Sequence, residues 1–373
     1  MNTDRLGFYL VGWKKFYNKT LALLESKKVG YDVNWIFNDK IYGSIDWTIP
    51  IDTPLPELYK KRALQLREQY DYLILYFSGG ADSLNILRSF VDNNIFLDEI
   101  VMQFLEPVKS TFNETDKSNK NFYSEIKYQA IPALNGLQLH HNTKIRHQDF
   151  SKPLLELLTK DDWFDTMPLG TNISPAGIGR QVAQLKEDHI LKLCDTGKTA
   201  AQILGVDKPL VYSDGVNYFA YFSDVSAMHS PPVDYTQGDV FHNLYRTEFF
   251  YWTPDMPEIV VKQAQLIKEF CIQNPQAKSM IMKTLKTHVQ TYKSLLHSII
   301  YPKDMIINWD PEKPSMKVVR PMDEWFWKTA DDQVKGNYLN VIDFLKSNTD
   351  SKYMIENDIQ NGVSANLSRF YKL

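Results

Sequence analysis

A six-residue apolar run followed at once by two glycines is the feature that most constrains this chain. Residues 72–77, Tyr-Leu-Ile-Leu-Tyr-Phe, have no polar alternation, which is typical of a strand buried on both faces of a parallel sheet. Ser-Gly-Gly-Ala-Asp-Ser follows at 78–83, and an amphipathic helical pattern then extends to residue 91. A second apolar run at 100–104 completes a strand–helix–strand unit. The sequence therefore predicts an α/β fold with a doubly wound, mostly parallel sheet.

The rest of the chain is divided around this unit. At roughly 150 residues per domain, 373 residues suggest two or three structural units. We predict an N-terminal extension over 1–70, a domain built on the parallel sheet over 71–245, and a mainly helical C-terminal region over 246–373. Three local predictions lie inside the middle domain: one capped helix over 174–193, a short helical turn over 199–204, and a hairpin over 210–222.

Composition excludes several classes of protein. The 42 Lys and Arg residues nearly balance 45 Asp and Glu, which argues against a nucleic-acid coat or a polybasic membrane anchor. Two cysteines, 77 residues apart, are too few for a Cys₄ zinc site, an iron–sulfur cluster held by this chain alone, or a CxxC redox pair. No apolar run approaches the ~20 residues that span a bilayer, and no secretory signal is evident. We expect a cytoplasmic protein with no membrane partner.

Residues 78–83 lie where parallel sheets commonly bind ligands. Gly79 and Gly80 permit a tight turn in which backbone N–H groups converge at a helix N-terminus, and Ser78 and Ser83 add hydroxyl donors. Phosphate or pyrophosphate is the ligand that this chemistry favours. Asp82 would repel phosphate unless a cation lies between them, so we predict that Asp82 holds Mg²⁺. The alternative is that Asp82 only caps the helix.

The hexapeptide SGGADS resembles the SGGxDS PP-loop of the ATP pyrophosphatases, the N-type branch of the adenine nucleotide α-hydrolase-like superfamily, whose core is HUP/Rossmann-like. The resemblance is specific over about residues 71–105 and extends plausibly to about 225. It implies that ATP binds with its phosphates over Ser78, Gly79, Gly80, Asp82 and Ser83. Most such enzymes break the α–β phosphate bond and transfer AMP to a carbonyl or carboxylate oxygen. Ammonia or sulfur then displaces AMP.

Departure of pyrophosphate requires positive charge near the loop. Arg180, in Ser-Pro-Ala-Gly-Ile-Gly-Arg, and Lys208, in Gly-Val-Asp-Lys-Pro, are the candidates, and with Asp82 they form the predicted catalytic set. The alternative for each cation is an ordinary surface position. The family resemblance also implies that adenine lies against the segment after the second strand. That segment is Met102, Gln103 and Phe104, of which Phe104 is the predicted nucleotide contact, with simple core packing as the alternative.

The positions of the cysteines argue against two activities of this superfamily. A glutamine-dependent synthetase of the asparagine type needs an N-terminal cysteine nucleophile after removal of Met, but position 2 is Asn, and only about 70 residues precede the loop strand. We therefore expect no glutaminase domain and an external ammonia or amine donor. Residues 272–373 contain no cysteine, which counts against a PAPS reductase. The favoured function is an asparagine-synthetase-like ligase that uses ATP and Mg²⁺ to adenylate a small-molecule or nucleobase acceptor.

Three alternatives stay open: a sulfurtransferase with Cys194 or Cys271 as carrier, a PAPS-reductase-like enzyme, and a nucleotide-binding module without catalysis. The aromatic helical tail could also form a homodimer surface.

Overall fold

The computed structural model describes most of the chain. The described residues are 3–110, 123–166, 174–185, 187–205, 208–224, 244–283, 296–302, 321–357, 360–363 and 365–373. Among them, no helix combines the length and the apolar character that crossing a membrane requires.

The described N-terminal residues form a short 3₁₀-helix (Thr3–Leu6), a small antiparallel sheet and three α-helices. The strands and α-helices are β1 (Phe8–Val11), β2 (Lys14–Phe16), α1 (Lys19–Val29), β3 (Val33–Ile36), α2 (Asp39–Tyr42) and α3 (Leu55–Gln69). Strand β1 pairs with both β2 and β3. Helix α3 follows Pro54 and buries the face that carries Leu58, Tyr59 and Leu66, as its helical spacing predicts.

The middle part supplies the large sheet. Its elements are β4 (Tyr72–Tyr76), α4 (Ala81–Val91), β5 (Glu99–Phe104), α5 (Glu106–Lys109), α6 (Tyr123–Glu125), a π-helical turn (Ile126–Ala130), α7 (Ile131–Asn135), β6 (Lys144–Asp149), α8 (Ser151–Leu158), α9 (Trp163–Thr166), α10 (Pro175–Leu185), α11 (Asp188–Asp195), β7 (Ala200–Leu204), β8 (Leu210–Ser213), β9 (Tyr218–Tyr221) and β10 (Tyr245–Phe249). Strands β8 and β9 form the predicted hairpin.

Five of these strands form one sheet in the order β10-β7-β4-β5-β6, and every neighbouring pair is parallel. Helices pack on both faces. Leu87 of α4 and Ile100 of β5 line one cavity, whereas Gln103, three residues along the same strand, donates to the main-chain oxygen of Arg180 in α10. Because side chains alternate along a strand, residues 100 and 103 belong to opposite faces. The α/β class and the parallel sheet are thus confirmed, and the sheet is compatible with a Rossmann-like core.

The C-terminal part is mostly helical but also contains strands. Its elements are α12 (Glu258–Gln273), α13 (Pro275–Lys283), α14 (Pro321–Thr329), α15 (Asp332–Asn348), β11 (Met354–Asn357), β12 (Gln360–Val363) and β13 (Tyr371–Lys372). Strand β13 pairs with β9 of the middle part. Strand β10 crosses the boundary predicted at 245/246, and the division into domains stays a prediction.

Two local predictions were wrong. Residues 199–204 do not form a helical turn, because Ala200–Leu204 is the fully buried strand β7 between β4 and β10. Burial on both faces there overrides the weak strand preference of its two alanines. The single helix predicted over 174–193 is divided into α10 and α11. The side chain of Glu187, between them, bonds to the Tyr76 hydroxyl and the Gln148 amide, which places this residue against the sheet instead of in a continuous helix.

Candidate functional site

The candidate site lies where the winding of the parallel sheet reverses direction. Strand β5 follows β4 on one side of it, whereas β7 pairs with β4 on the other side. In open α/β sheets, ligands bind at the carboxyl ends of the strands beside such a reversal. Residues 77–80 continue from β4, and Gly205 and Lys208 follow β7. The hexapeptide at 78–83 therefore occupies the expected ligand-binding edge.

Internal hydrogen bonds and a neighbouring helix hold the 78–83 loop in a tight turn. Ser78 Oγ accepts from Gly80 N at 3.3 Å and lies 3.3 Å from Ser83 Oγ, which donates to Gly80 O at 3.1 Å. Gly79 has φ +75°, and a Cβ there would lie 2.7 Å from Ala130 N and 2.8 Å from its Cα. Glycine is required at 79 both for its backbone conformation and for this close approach to the π-helical turn.

Asp82 and Lys208, which are 126 residues apart in sequence, form an ion pair at the start of α4. Lys208 Nζ lies 2.5 Å from Asp82 Oδ1, and the Lys208 side chain is only 5% exposed. The hydroxyl of Tyr301 donates to the same Oδ1, and that of Tyr251 donates to the main-chain oxygen of Asp82 at 2.8 Å. The N-cap of α4 is Gly80, without a side-chain capping bond, so the geometry does not support a purely capping role for Asp82.

Both tyrosine hydroxyls beside Asp82 remain protonated. Burial raises the pKa of Tyr301 well above its usual value, and the neighbouring Asp82 carboxylate raises it further. Burial also raises the pKa of Tyr251, and the nearby Tyr59 and Asp82 act in the same direction. These hydroxyls can therefore serve as hydrogen-bond donors over the whole physiological pH range.

A cavity of about 80 Å³ opens beside the loop on the α10 face of the sheet. Ser78 and Arg180 both line it, together with Gln103 and Glu125. The structure thus brings Arg180 to the cavity beside Ser78, whereas Lys208 pairs with Asp82. The cavity is smaller than typical ligand sites, which have volumes of roughly 300–1,000 Å³. Only part of a nucleotide would therefore fit inside it.

Phe104, the predicted nucleotide contact, is a core residue in this structure. It is 2% exposed, and its ring centroid lies 5.7 Å from that of Tyr123 and 5.4 Å from that of His147. Gln103, which belongs to the same predicted segment, lines the cavity together with Val101. This placement favours the core-packing alternative, although a role in adenine binding stays a prediction.

The side chains around the loop fit a magnesium ion shared with phosphates. Magnesium in nucleotide sites is commonly held by one or two carboxylates, with phosphate oxygens and water completing its coordination. The second oxygen of Asp82, Oδ2, accepts no hydrogen bond from the described residues, and the side chain is 30% exposed. No group of three or more His, Cys, Asp or Glu side chains that could hold a metal by themselves occurs in the described part of the chain. One carboxylate plus the ligand's own oxygens is the arrangement that fits.

Sequence reasoning missed the tyrosines that contact Asp82. Tyr251 lies in the aromatic stretch 249–252, which is typical of core packing, and Tyr301 belongs to no motif. Only the fold, which brings residues 251 and 301 to the start of α4, identifies them as neighbours of the loop.

Comparison with known protein families found no family model that matches this chain. Comparison with curated proteins likewise found no match.

Proposed function

We propose that this chain is a PP-loop ATP pyrophosphatase that adenylates a carbonyl or carboxylate acceptor. The observation that carries the proposal is the Ser78–Ser83 loop at the reversal point of the sheet, with the buried Lys208 paired to its Asp82. Numbered along the chain, the five parallel strands have the order 3-2-1-4-5, which supports a HUP/Rossmann-like core. The loop lies at the end of strand 1, beside strand 4.

The charges around the loop suit a triphosphate. The amides of residues 78–83 and the N-terminus of α4 provide the positive end that attracts phosphate oxygens. Lys208, paired with Asp82, and Arg180, in the cavity beside Ser78, add two cations near the loop. Mg²⁺, held by Asp82, would neutralise phosphate oxygens when bound. Together these groups can stabilise the charge that develops as pyrophosphate leaves.

The proposed reaction has two displacements. An oxygen of the acceptor attacks the α-phosphorus of ATP, and the bond from that phosphorus to the bridging α–β oxygen breaks, so that pyrophosphate leaves with the bond's electron pair. Ammonia or an amine then attacks the adenylated carbon, loses a proton, and AMP departs. A small molecule or a nucleobase with a carbonyl or carboxylate group is the proposed acceptor, and the amine is supplied from outside this chain.

The burial of the cysteines favours this reaction over sulfur transfer. Cys194 is 1% exposed and Cys271 is 0% exposed. Burial raises the pKa of the Cys194 thiol, so the reactive thiolate is disfavoured there. A sulfur carrier needs an accessible thiolate, and neither cysteine offers one in this structure.

Product analysis tests the proposed function. The protein is incubated with Mg-ATP, ammonium and a panel of carbonyl and carboxylate acceptors, and the nucleotides are separated. AMP and pyrophosphate are the expected products. ADP and phosphate would contradict the proposal, and ATP that is bound but never cleaved would favour the non-catalytic module.

A pair of variants assigns the activity to the loop. Asp82→Asn should abolish AMP formation while leaving the fold intact. Asp92→Asn is the matched control, because Asp92 follows the other end of α4 and pairs with Arg88 at the surface. Equal activity in the two variants would remove the role proposed for Asp82.

A further inference from the structure

We propose that Tyr301 is a positioning residue for the ATP site, whose hydroxyl fixes the Asp82 carboxylate by one oxygen and leaves the other for magnesium. This inference rests on the proposed function. It concerns a residue of the C-terminal part of the chain, 219 positions from Asp82, that no motif identifies.

The hydrogen bonds of Asp82 are divided unequally between its two carboxylate oxygens. The Tyr301 hydroxyl and Lys208 Nζ both donate to Oδ1, whereas Oδ2 accepts from none of the described residues. Lys208 Nζ also lies 5.9 Å from the centroid of the Tyr301 ring, so both donors approach from neighbouring positions. Rotation of the carboxylate would break both bonds to Oδ1. The two donors therefore determine which oxygen stays available to a ligand.

Tyr301 is itself held firmly. It is 4% exposed, and it belongs to a tyrosine cluster of Tyr59, Tyr251 and Tyr301 whose ring centroids lie 5.6–6.4 Å apart. The Tyr59 hydroxyl donates to the main-chain oxygen of Ile300, next to Tyr301, at 2.7 Å. Gln263 of α12 donates to the Tyr59 hydroxyl at 2.9 Å. The position of the Tyr301 hydroxyl is thus set by α3, α12 and the packed rings.

The tyrosine cluster also holds the backbone of Asp82. The Tyr251 hydroxyl donates to the main-chain oxygen of Asp82 and accepts from the Asn85 side chain at 2.9 Å. The Tyr251 hydroxyl therefore holds the main chain of Asp82, and the Tyr301 hydroxyl holds its carboxylate. Loss of the Tyr301 hydroxyl alone would leave the main chain in place, and Lys208 would be the one described residue that still pairs with the carboxylate. The carboxylate could then rotate away from the orientation that presents one oxygen to magnesium, and the affinity for magnesium would fall.

The test compares Tyr301→Phe with Tyr9→Phe. Tyr9→Phe is the matched control, because it also removes a buried tyrosine hydroxyl that donates to a lysine-paired carboxylate, but that carboxylate is Asp224 instead of Asp82. ATP binding is measured by calorimetry, without acceptor, over a range of Mg²⁺ concentrations and also in EDTA. We expect Tyr301→Phe to raise the Mg²⁺ concentration for half-maximal ATP binding about tenfold, as for loss of one hydrogen bond to a charged group. ATP affinity in EDTA should be unchanged.

Each other outcome identifies the step that fails. If the wild-type protein binds no ATP at any Mg²⁺ concentration, the proposed function fails and the positioning role fails with it. If the wild type binds Mg-ATP and Tyr301→Phe has the same Mg²⁺ dependence, only the positioning role is overturned. An equal shift in Tyr9→Phe, or an equal loss of affinity with and without Mg²⁺, would also overturn it, because a general effect on the fold would then explain the change. Tyr301→Met, which also lacks the hydroxyl, carries the same prediction should Tyr301→Phe not fold.

Discussion

Replacement of Gly79 with alanine should destabilise the protein more than the same replacement at Gly30. Both glycines have φ +75°, so an alanine at either position adopts the same left-handed conformation. Gly30 ends α1, and a Cβ there would meet nothing within 4 Å. At Gly79 the added carbon would lie 2.7 Å from a backbone atom of Ala130. The pair therefore separates the cost of the backbone conformation from the cost of the contact.

The two costs can be estimated separately. The left-handed conformation costs an L-residue about 1–2 kcal/mol, which is the whole effect expected at Gly30. Overpacking adds about 1–3 kcal/mol at Gly79, because the atoms in contact belong to backbone and cannot rotate away. We therefore expect Gly79→Ala to lower the free energy of unfolding by about 2–5 kcal/mol.

Urea unfolding followed by tryptophan fluorescence measures both values, and ATP binding by the folded variants gives a second comparison. Gly79→Ala should also weaken ATP binding, since relief of the contact must move the loop, whereas Gly30→Ala should not. Equal destabilisation by the two replacements would refute the close packing of the loop on the π-helical turn. Unchanged ATP affinity in Gly79→Ala would refute the role of that packing in shaping the phosphate site.

Three further predictions follow from the described contacts. Lys208→Met should lower turnover at least about 100-fold, the effect of removing one donor that stabilises developing negative charge, and AMP formation at the wild-type rate would contradict the role of this cation. Replacing either cysteine with serine should leave AMP formation by the folded protein within about twofold, because neither thiol takes part, and loss of activity in either variant would favour sulfur transfer. Although burial opposes it, hydrogen bonds from His189 and Arg146 lower the pKa of Glu99 from 4.5 to about 2. The folded state thus binds this proton less readily than the unfolded state, so the stabilisation is present above pH 4.5 and is lost as the pH falls towards 2. Thermal unfolding of Glu99→Gln should show a flatter pH dependence over that interval than the wild type, and an identical slope would refute the assignment.

The loop and its flanking strands could be predicted because their signal is local. Residues 72–77 are uniformly apolar, and two glycines beside two serines have few uses other than a tight, donor-rich turn. The partners of the loop were harder to identify. Nothing in the sequence around Lys208 shows that β7 delivers this cation to Asp82.

Three strands of the large sheet, β6, β7 and β10, were not predicted from the sequence, and the reasons differ for β7 and β6. Strand β7, Ala-Ala-Gln-Ile-Leu, has no strand periodicity because all five residues are buried. Strand β6, Lys144–Asp149, is almost entirely polar, and its Gln148 is buried through bonds to Glu187 and to a main-chain oxygen of α10. Such tertiary hydrogen bonds stabilise polar residues in a sheet, but they leave no pattern in the local sequence.

A structure of the protein with Mg-ATP tests the central claim most directly. The account predicts that the triphosphate lies within hydrogen-bond distance of the amides of residues 78–83, with Mg²⁺ between the phosphates and Asp82 Oδ2. Lys208 and Arg180 should lie on either side of the phosphates. A nucleotide bound elsewhere on the sheet, with the loop still closed on itself, would contradict the account.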